Sequence, residues 1–291
     1  MPTPFQHSAA HNTESARPAL TLQALRYRRI EPVRGHEVKR LEQEARALGM
    51  LVAEEREHIC GHDRAADYVI SSTILSMLLM NGSPQHHAFI EGVAGQNDYP
   101  PDWMTCSYEC AGWGYVFRRA FAKAASSNSH VLLLQIVDVD VHGFTYWHGN
   151  PAWGNSGFGV CTMLVDVADS VAAPLRNMSA PPQVAVVQMG RELRGFCSQR
   201  PGVSVALPFF PPTSRRAMLA AIGKTPLCPD GHARFGHSFG SDPWIALLLA
   251  QAEARDADIR QNVIVSSLAL NGYYSIAEVG FAPGAQLSLE L

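Results

Sequence analysis

"YECAGWGYVF", Tyr108–Phe117, sets one cysteine between an acid and a run of small and aromatic residues, where an amphipathic helix begins and continues to about Ala125. A thiol at a helix N-terminus meets free backbone amides and the positive end of the dipole, both of which favour thiolate. Cys110 is therefore a nucleophile candidate, but as a small apolar side chain at a Gly/Ala-rich helix start it reads first as a packing residue. MTCSYE (104–109) reads as a short strand leading into the helix. SHVLLLQIVDVD (129–140) is an unbroken run of leucine and β-branched residues, the pattern of a strand buried on both faces of a helix-covered sheet.

Further out the same two patterns alternate. LTLQALRY (21–28) reads as a strand, and GHEVKRLEQEARAL (35–48) puts Val38, Leu41, Ala45 and Leu48 on one helical face. RAADYVISSTILSMLL (64–79) reads as a buried helix stopped by Asn81, Gly82 and Pro84, and HAFIEGVAG (87–95) as a strand. The Glu/Arg run at 54–57 reads as a solvated face. Past the Gly/aromatic loop HGFTYWHGNPAWGNSG, FGVCTMLVDV (158–167) is a strand. DSVAAPLRNMSAPPQ (169–183) loses periodicity and gains prolines, which makes it the internal linker candidate. Beyond it VAVVQMG, VSVALPFF and NVIVSSLAL read as strands, RRAMLAAIG and DPWIALLLAQAEARD as helices. Strand and helix alternating on both sides of one linker predict an α/β protein of two similar halves, 20–168 and 184–291, behind a mobile tail at 1–19.

A chain of 291 residues, 47% hydrophobic, holds a substantial core. Its net charge of -3 offers no basic field for nucleic acid or anionic lipid, so neither is expected as a partner. Cys60, Cys106, Cys110, Cys161, Cys197 and Cys228 are scattered without a CxxC pair, as in a reduced, cytoplasmic protein. The N-terminal stretch has no apolar core behind basic residues, and no later stretch is long enough to span a bilayer. His142 and His148 flank FTYW, but no third ligand of suitable spacing stands near, so no metal is expected.

ECAGWGYVF resembles the nucleophile segment of β-ketoacyl-ACP synthase III and its thiolase-fold relatives, whose pattern runs Ala-Cys-Ala-Gly-Phe-x-Tyr-x-Leu. The order of the later segments is similar as well. A buried strand ending in Asp is followed by WGNSGFGVCTML where the family has Phe-Gly-Asp-Gly-Ala-Gly-Ala. ALPFFPPTSRRAMLAAIG stands at Pro-His-Gln-Ala-Asn, FGHSFGSDPWIALLLAQA at Gly-Asn-Thr, and VIVSSLALNGYYSIAEV at the closing Gly-rich hairpin. The resemblance runs from about residue 20 to the end, over a chain shorter than a usual member. It implies a layered αβαβα fold with two halves related by a pseudo-twofold, and acyl transfer through a cysteine without a cofactor.

The family's chemistry is carried over residue by residue. Cys110 stands at the nucleophile. The His of Pro-His-Gln is Phe209, which cannot donate a hydrogen bond or carry a proton, so decarboxylative condensation is not expected. The Asn of Gly-Asn-Thr is His237, an imidazole able to activate Cys110 and then deprotonate an alcohol, amine or thiol acceptor. His232 is a weaker substitute. Gly272, in Asn271-Gly272, stands at the oxyanion donor of the final hairpin and fits an ordinary two-residue turn equally well. Trp113 and Trp147 would narrow the acyl tunnel, as Trp153 could. Tyr99 stands where the family has a Phe that reaches into a partner subunit's tunnel. The implied partners are acyl-CoA or an acyl carrier protein, and a homodimer or a heterodimer with another thiolase-fold subunit. The apolar strand 129–138 would otherwise leave a hazardous edge. The alternative is a non-catalytic partner subunit of a heteromeric ketosynthase.

Overall fold

The structure is a computed structural model that describes residues 19–31, 41–61, 63–75, 83–127, 129–141, 147, 149–169, 175–253 and 262–291. Residues 1–18 of the expected tail, Val38, and the two histidines around FTYW lie outside the described residues.

Among the described residues eight strands follow the path β3-β2-β4-β5-β1-β9-β8-β7, and a ninth, β6, pairs with β9. In the first half, β1 (Leu20–Arg29), α1 (Leu41–Cys60), β2 (Asp67–Ser71), α2 (Pro84–Ala94) and β3 (Trp103–Thr105) precede a 3₁₀ turn at Glu109–Ala111; α3 (Gly112–Ser127), β4 (Ser129–Asp138) and β5 (Gly159–Ala168) follow it. The second half repeats the plan. It runs through β6 (Leu175–Ser179), α4 (Pro182–Ser198), β7 (Ser204–Ala206), α5 (Pro212–Ile222) and α6 (His232–Phe235), then a 3₁₀ turn at Phe239–Ser241, α7 (Asp242–Glu253), β8 (Val263–Leu268) and β9 (Tyr273–Glu290).

The pairings repeat too. β5 runs antiparallel to both β1 and β4, and β4 parallel to β2; β9 runs antiparallel to both β6 and β8, and β8 parallel to β7. The 18-residue β9 joins the halves, because its first residues pair with β8 and β6 and its last with β1. α3 and α7 form the central layer. Trp113 and Phe117 of α3 meet Trp244 of α7 edge-on, at ring centroids 5.4 and 6.0 Å apart, within a core fed by both sets of strands. α1 with α2, and α4 with α5, pack on the outer faces. This is the expected αβαβα fold with pseudo-twofold halves. No described helix is long and apolar enough to cross a membrane.

Several local expectations fail, each for a packing reason. Residues 67–71, read as helix, form β2, whose five residues are all buried between β3 and β4. HAFIEGVAG, read as a strand, is helical. Ser83 caps α2 by accepting from the His86 amide, Pro84 occupies its first turn, and Ala88, Phe89, Gly92 and Val93 form its buried face. VAVVQMG lies in α4, where Ala185, Met189, Leu193 and Phe196 face inward at helical spacing while Val184 and Val187 are exposed. The stretch read as a linker contains β6. β4 is no edge, since β2 and β5 flank it, so its apolarity answers to burial and lends nothing to a dimer.

The charged run at 54–57 is a further correction. Glu55 and Arg56 are fully buried. Glu55 accepts from Arg26 at 2.6 Å and Arg28 at 3.1 Å, which ties α1 to β1. Arg56 donates to the carbonyls of Val93 and Tyr99. A buried charge requires such partners, and all of them are remote in sequence.

α1 and α2 cross so closely that backbone meets backbone. A Cβ on Gly49 would lie 2.3 Å from the Phe89 carbonyl oxygen, and one on Gly92 2.4 Å from that of Arg46. In a free helix Gly→Ala gains about 1 kcal/mol; here the clash should reverse the sign. Gly49→Ala is expected to lower unfolding stability in urea by roughly 1–3 kcal/mol. A stabilised variant would mean that the two helices do not pack in this way.

Candidate active site

Cys110 sits at the centre of the Glu109–Ala111 turn and is buried, as is the whole start of α3. The small residues after it are demanded by the two sheets. A Cβ on Gly112 would lie 2.5 Å from Ser71 Oγ of β2, and one on Gly114 2.3 Å from Ser275 Oγ of β9. The helix start is thus wedged between the halves. The matching turn of the second half lies against it, with Gly240 close enough that a Cβ there would be 3.4 Å from the Cys110 carbonyl oxygen.

His237 reaches Cys110 from that second half. Its Nε2 lies 3.7 Å from Cys110 Sγ, and its Nδ1 lies 2.6 Å from Asp242 Oδ2. Backbone bonds hold His237 on both sides, its amide donating to Asn155 and its carbonyl accepting from Gly157. The ring of Phe210 stacks on the imidazole at 5.6 Å. Asp242, first residue of α7, also accepts from the amides of Phe209 at 2.9 Å and Ser238 at 2.5 Å.

Cys110, His237 and Asp242 thus form a thiol–imidazole–carboxylate line, a geometry able to activate a thiol. Asp242 is absent from the sequence reading, which treats it only as a helix start. The signal available is Ser241-Asp242-Pro243 five residues past the histidine. What brings the carboxylate back to the imidazole is the intervening turn, in which Phe239 takes a φ of 53°.

The charges follow from burial and pairing. Burial lowers His237, but the charge and hydrogen bond of Asp242, together with Cys110, more than offset it and raise the imidazole to about 10. Burial pushes the Asp242 carboxyl up, against the pull of His237 and the two amides. Burial also raises the Cys110 thiol, and the contact with His237 only partly opposes it. The thiol thus stands above its ordinary value and not below it as a helix N-terminus alone would suggest, because burial raises it by more than the contact with His237 lowers it.

Below Cys110 a second carboxylate binds the two halves. Asp138, at the end of β4, accepts from the Thr73 amide at 2.6 Å, Ser72 Oγ at 3.2 Å and the Gly240 amide at 3.3 Å. It is raised to about 6 by burial, with these donors pulling down. Thr73, held in this way, places its hydroxyl 3.9 Å from the sulfur.

A cavity of about 60 Å³ opens beside the sulfur, lined by Thr73, Glu109, Cys110, Trp147, Trp153, His237, Phe239 and Leu270. Trp147 thus stands where a substrate would. The other predicted contacts do not. Trp113 is core, its Nε1 donating to Ser267 Oγ at 2.7 Å. Phe209 is buried against Gly231, and it serves the site through its backbone amide instead of its ring. Tyr99 packs on Tyr68, Arg56 and Arg64, and its hydroxyl accepts from the Ala65 amide. His232 pairs through Nε2 with the Trp153 carbonyl at 3.0 Å and does not line the cavity.

Gly272 is also corrected as an oxyanion donor. Its φ is 88°, a Cβ would lie 1.9 Å from the Ala180 carbonyl oxygen, and its amide is already given to the Ala269 carbonyl. Glycine is required there by the turn. The neighbouring backbone of Leu270 and Asn271 lies beside the carboxyl of Glu109 and pulls against its burial. No group of three or more metal-ligating side chains stands together among the described residues.

No protein-family model matches the sequence, and no curated protein does. Solved structures do. ChlB3, described as an acyltransferase, is similar with a TM-score of 0.64 at 15% identity, over 91% of this chain and 99% of its own. A 3-oxoacyl-(acyl-carrier-protein) synthase III aligns with a TM-score of 0.62 at 11% identity, over 91% of this chain and 100% of its own. The synthase III FabH of Pseudomonas aeruginosa PAO1 gives 0.60 at 12%, over 91% and 99%. With its repeated halves and central helix pair, the chain has the thiolase-type fold of the β-ketoacyl synthase III proteins.

Proposed function

We propose that the protein is an acyltransferase that moves an acyl group from a carrier-protein or coenzyme A thioester through Cys110 to a nucleophilic acceptor. The observation that carries this reading is the line Cys110–His237–Asp242, in which the imidazole reaches the sulfur with one nitrogen and a buried carboxylate with the other. In the first step the proton that Cys110 and His237 share stands on the imidazole, held there by Asp242 and the sulfur, and the thiolate attacks the thioester carbonyl; the donor thiol leaves with that proton. In the second, His237 takes the acceptor's proton as the acceptor attacks the acyl-enzyme, and Cys110 recovers a proton when the product leaves. Asp242 fixes the ring and stabilises its charged form.

Decarboxylative condensation is disfavoured, because the buried phenyl ring of Phe209 supplies no donor to a developing enolate. The alternative of a non-catalytic partner subunit is disfavoured by the triad itself, since a relic thiol has no need of an imidazole backed by a buried carboxylate. Pairing with a second thiolase-fold subunit stays a proposal that the position of β4 no longer motivates.

Incubation with a panel of acyl thioesters should add one acyl mass to the protein, lost in Cys110→Ala. His237→Ala should keep the fold and slow acylation by about 10²- to 10⁴-fold. No mass gain with any thioester would overturn the reading.

Because burial holds the Cys110 thiol up, its alkylation by iodoacetamide should climb as pH rises from about 7 toward 10, with no plateau reaching to acid pH. Asp242→Asn removes the charge that keeps His237 protonated, so the thiol loses its cationic neighbour and alkylation near neutrality should slow. A rate unchanged from about pH 5 to 9 would contradict this account of the site.

A further inference from the structure

Glu109 stands directly before the nucleophile, and it takes a φ of 46°, a conformation that non-glycine residues seldom adopt. The turn holds it there with a consequence for the site. It lines the same cavity as Cys110 and His237, and its carboxyl lies beside the backbone of Leu270 and Asn271. Facing the same space are Trp147, Trp153 and Phe239. Their rings form one cluster, Trp147 lying 6.3 Å from Trp153 and 5.5 Å from Phe239. Among the described lining residues Glu109 is the one acid.

A carboxylate beside aromatic faces is the chemistry that selects a cation, through a charge-assisted hydrogen bond and the negative face of the rings. It is unfavourable to an anionic group such as a malonyl carboxylate, which would meet a like charge in a partly dry space. The charge balance of the catalytic cycle points the same way. Acylation removes the sulfur that helps hold the proton on His237, and the donor thiol carries that proton off, so the acyl-enzyme holds a neutral imidazole between the carboxylates of Asp242 and Glu109. The site is then short of positive charge at the moment the acceptor must bind.

We infer that the acceptor is a small primary amine that enters as its ammonium, held by Glu109 against the rings of Trp147, Trp153 and Phe239. The inference rests on the acyl-transfer reading. An ammonium must lose two protons to become an amide, and the site has a place for each. Glu109 accepts the first, giving the free amine. The amine nitrogen attacks the thioester carbonyl of acyl-Cys110, His237 accepts the second proton, and collapse breaks the C–S bond to leave amide, thiolate and imidazolium. Glu109 then returns its proton to solvent. Burial raises the Glu109 carboxyl, against the pull of the Leu270 and Asn271 backbone, which suits a group that must accept a proton. The space of about 60 Å³ accommodates only the reacting end of such a substrate.

The test separates binding, acylation and discharge. Acetyl-enzyme, formed from an acetyl thioester and followed by intact mass, is exposed near neutral pH to ethylamine, then to ethanol. Discharge should saturate with ethylamine and be weak with ethanol. Glu109→Gln should raise the half-saturating amine concentration by about tenfold or more, the scale of one hydrogen bond to a charged group, and Glu109→Asp should recover part of the loss. Ethylammonium should also protect Cys110 of the unacylated protein from methyl methanethiosulfonate, and ethanol should not. That binding readout needs no acyl transfer. An acyl-enzyme discharged alike by amine and alcohol, or unprotected by ethylammonium, overturns the acceptor assignment and leaves acyl transfer standing. Failure of every thioester to acylate Cys110 overturns acyl transfer, and the acceptor assignment with it.

Discussion

The structure around Cys110 depends on one buried carboxylate. Asp242 accepts from the imidazole of His237 and from the amides of Phe209 and Ser238, so three donors from two segments converge on two oxygen atoms. A carboxylate taken from water without such donors would cost several kcal/mol and would protonate instead. Given them, it holds the imidazole in one orientation, joins the loop after β7 to the start of α7, and favours the charged form of the ring. The geometry of the site follows from satisfying this group.

The internal repeat explains why a site lies here at all. Each half places a 3₁₀ turn with a positive-φ residue, Glu109 or Phe239, before its central helix, and the pseudo-twofold brings the two turns together. One turn carries Cys110 and the other follows directly on His237 and Ser238. Asp138 fastens the pair from below, bonding Thr73 of the first half and Gly240 of the second. A site at such a junction draws rigid backbone from both halves, and the small residues after Cys110 let its helix approach Ser71 and Ser275 of the flanking strands.

The fold was legible where burial is uniform. The run at 129–138 and the strand at 159–168 are apolar on both faces and read correctly, as does the helix after Cys110. Errors cluster where short apolar stretches are ambiguous between periods. HAFIEGVAG and VAVVQMG alternate well enough for strands, yet their buried residues also fit a helical face, and the choice is made by the helix lying opposite. Glu55 and Arg56 mislead in the other direction. Charge suggests solvent, but Arg26 and Arg28 for one, and the carbonyls of Val93 and Tyr99 for the other, make burial possible.

By itself the sequence determined the alternation of strand and helix, the two-part plan, and the identity of a cysteine and a histidine able to act together. These are properties of residue type and local period, which neighbours along the chain establish. It could not determine Asp242 as the third member, Glu109 as the acid of the cavity wall, the loss of Gly272 as a donor, or the withdrawal of Trp113, Phe209 and Tyr99 from the cavity. Each of those depends on which polar group meets which across more than one loop. That pairing is decided when desolvated charges and amides must find partners in the packed molecule, and only the tertiary structure decides it.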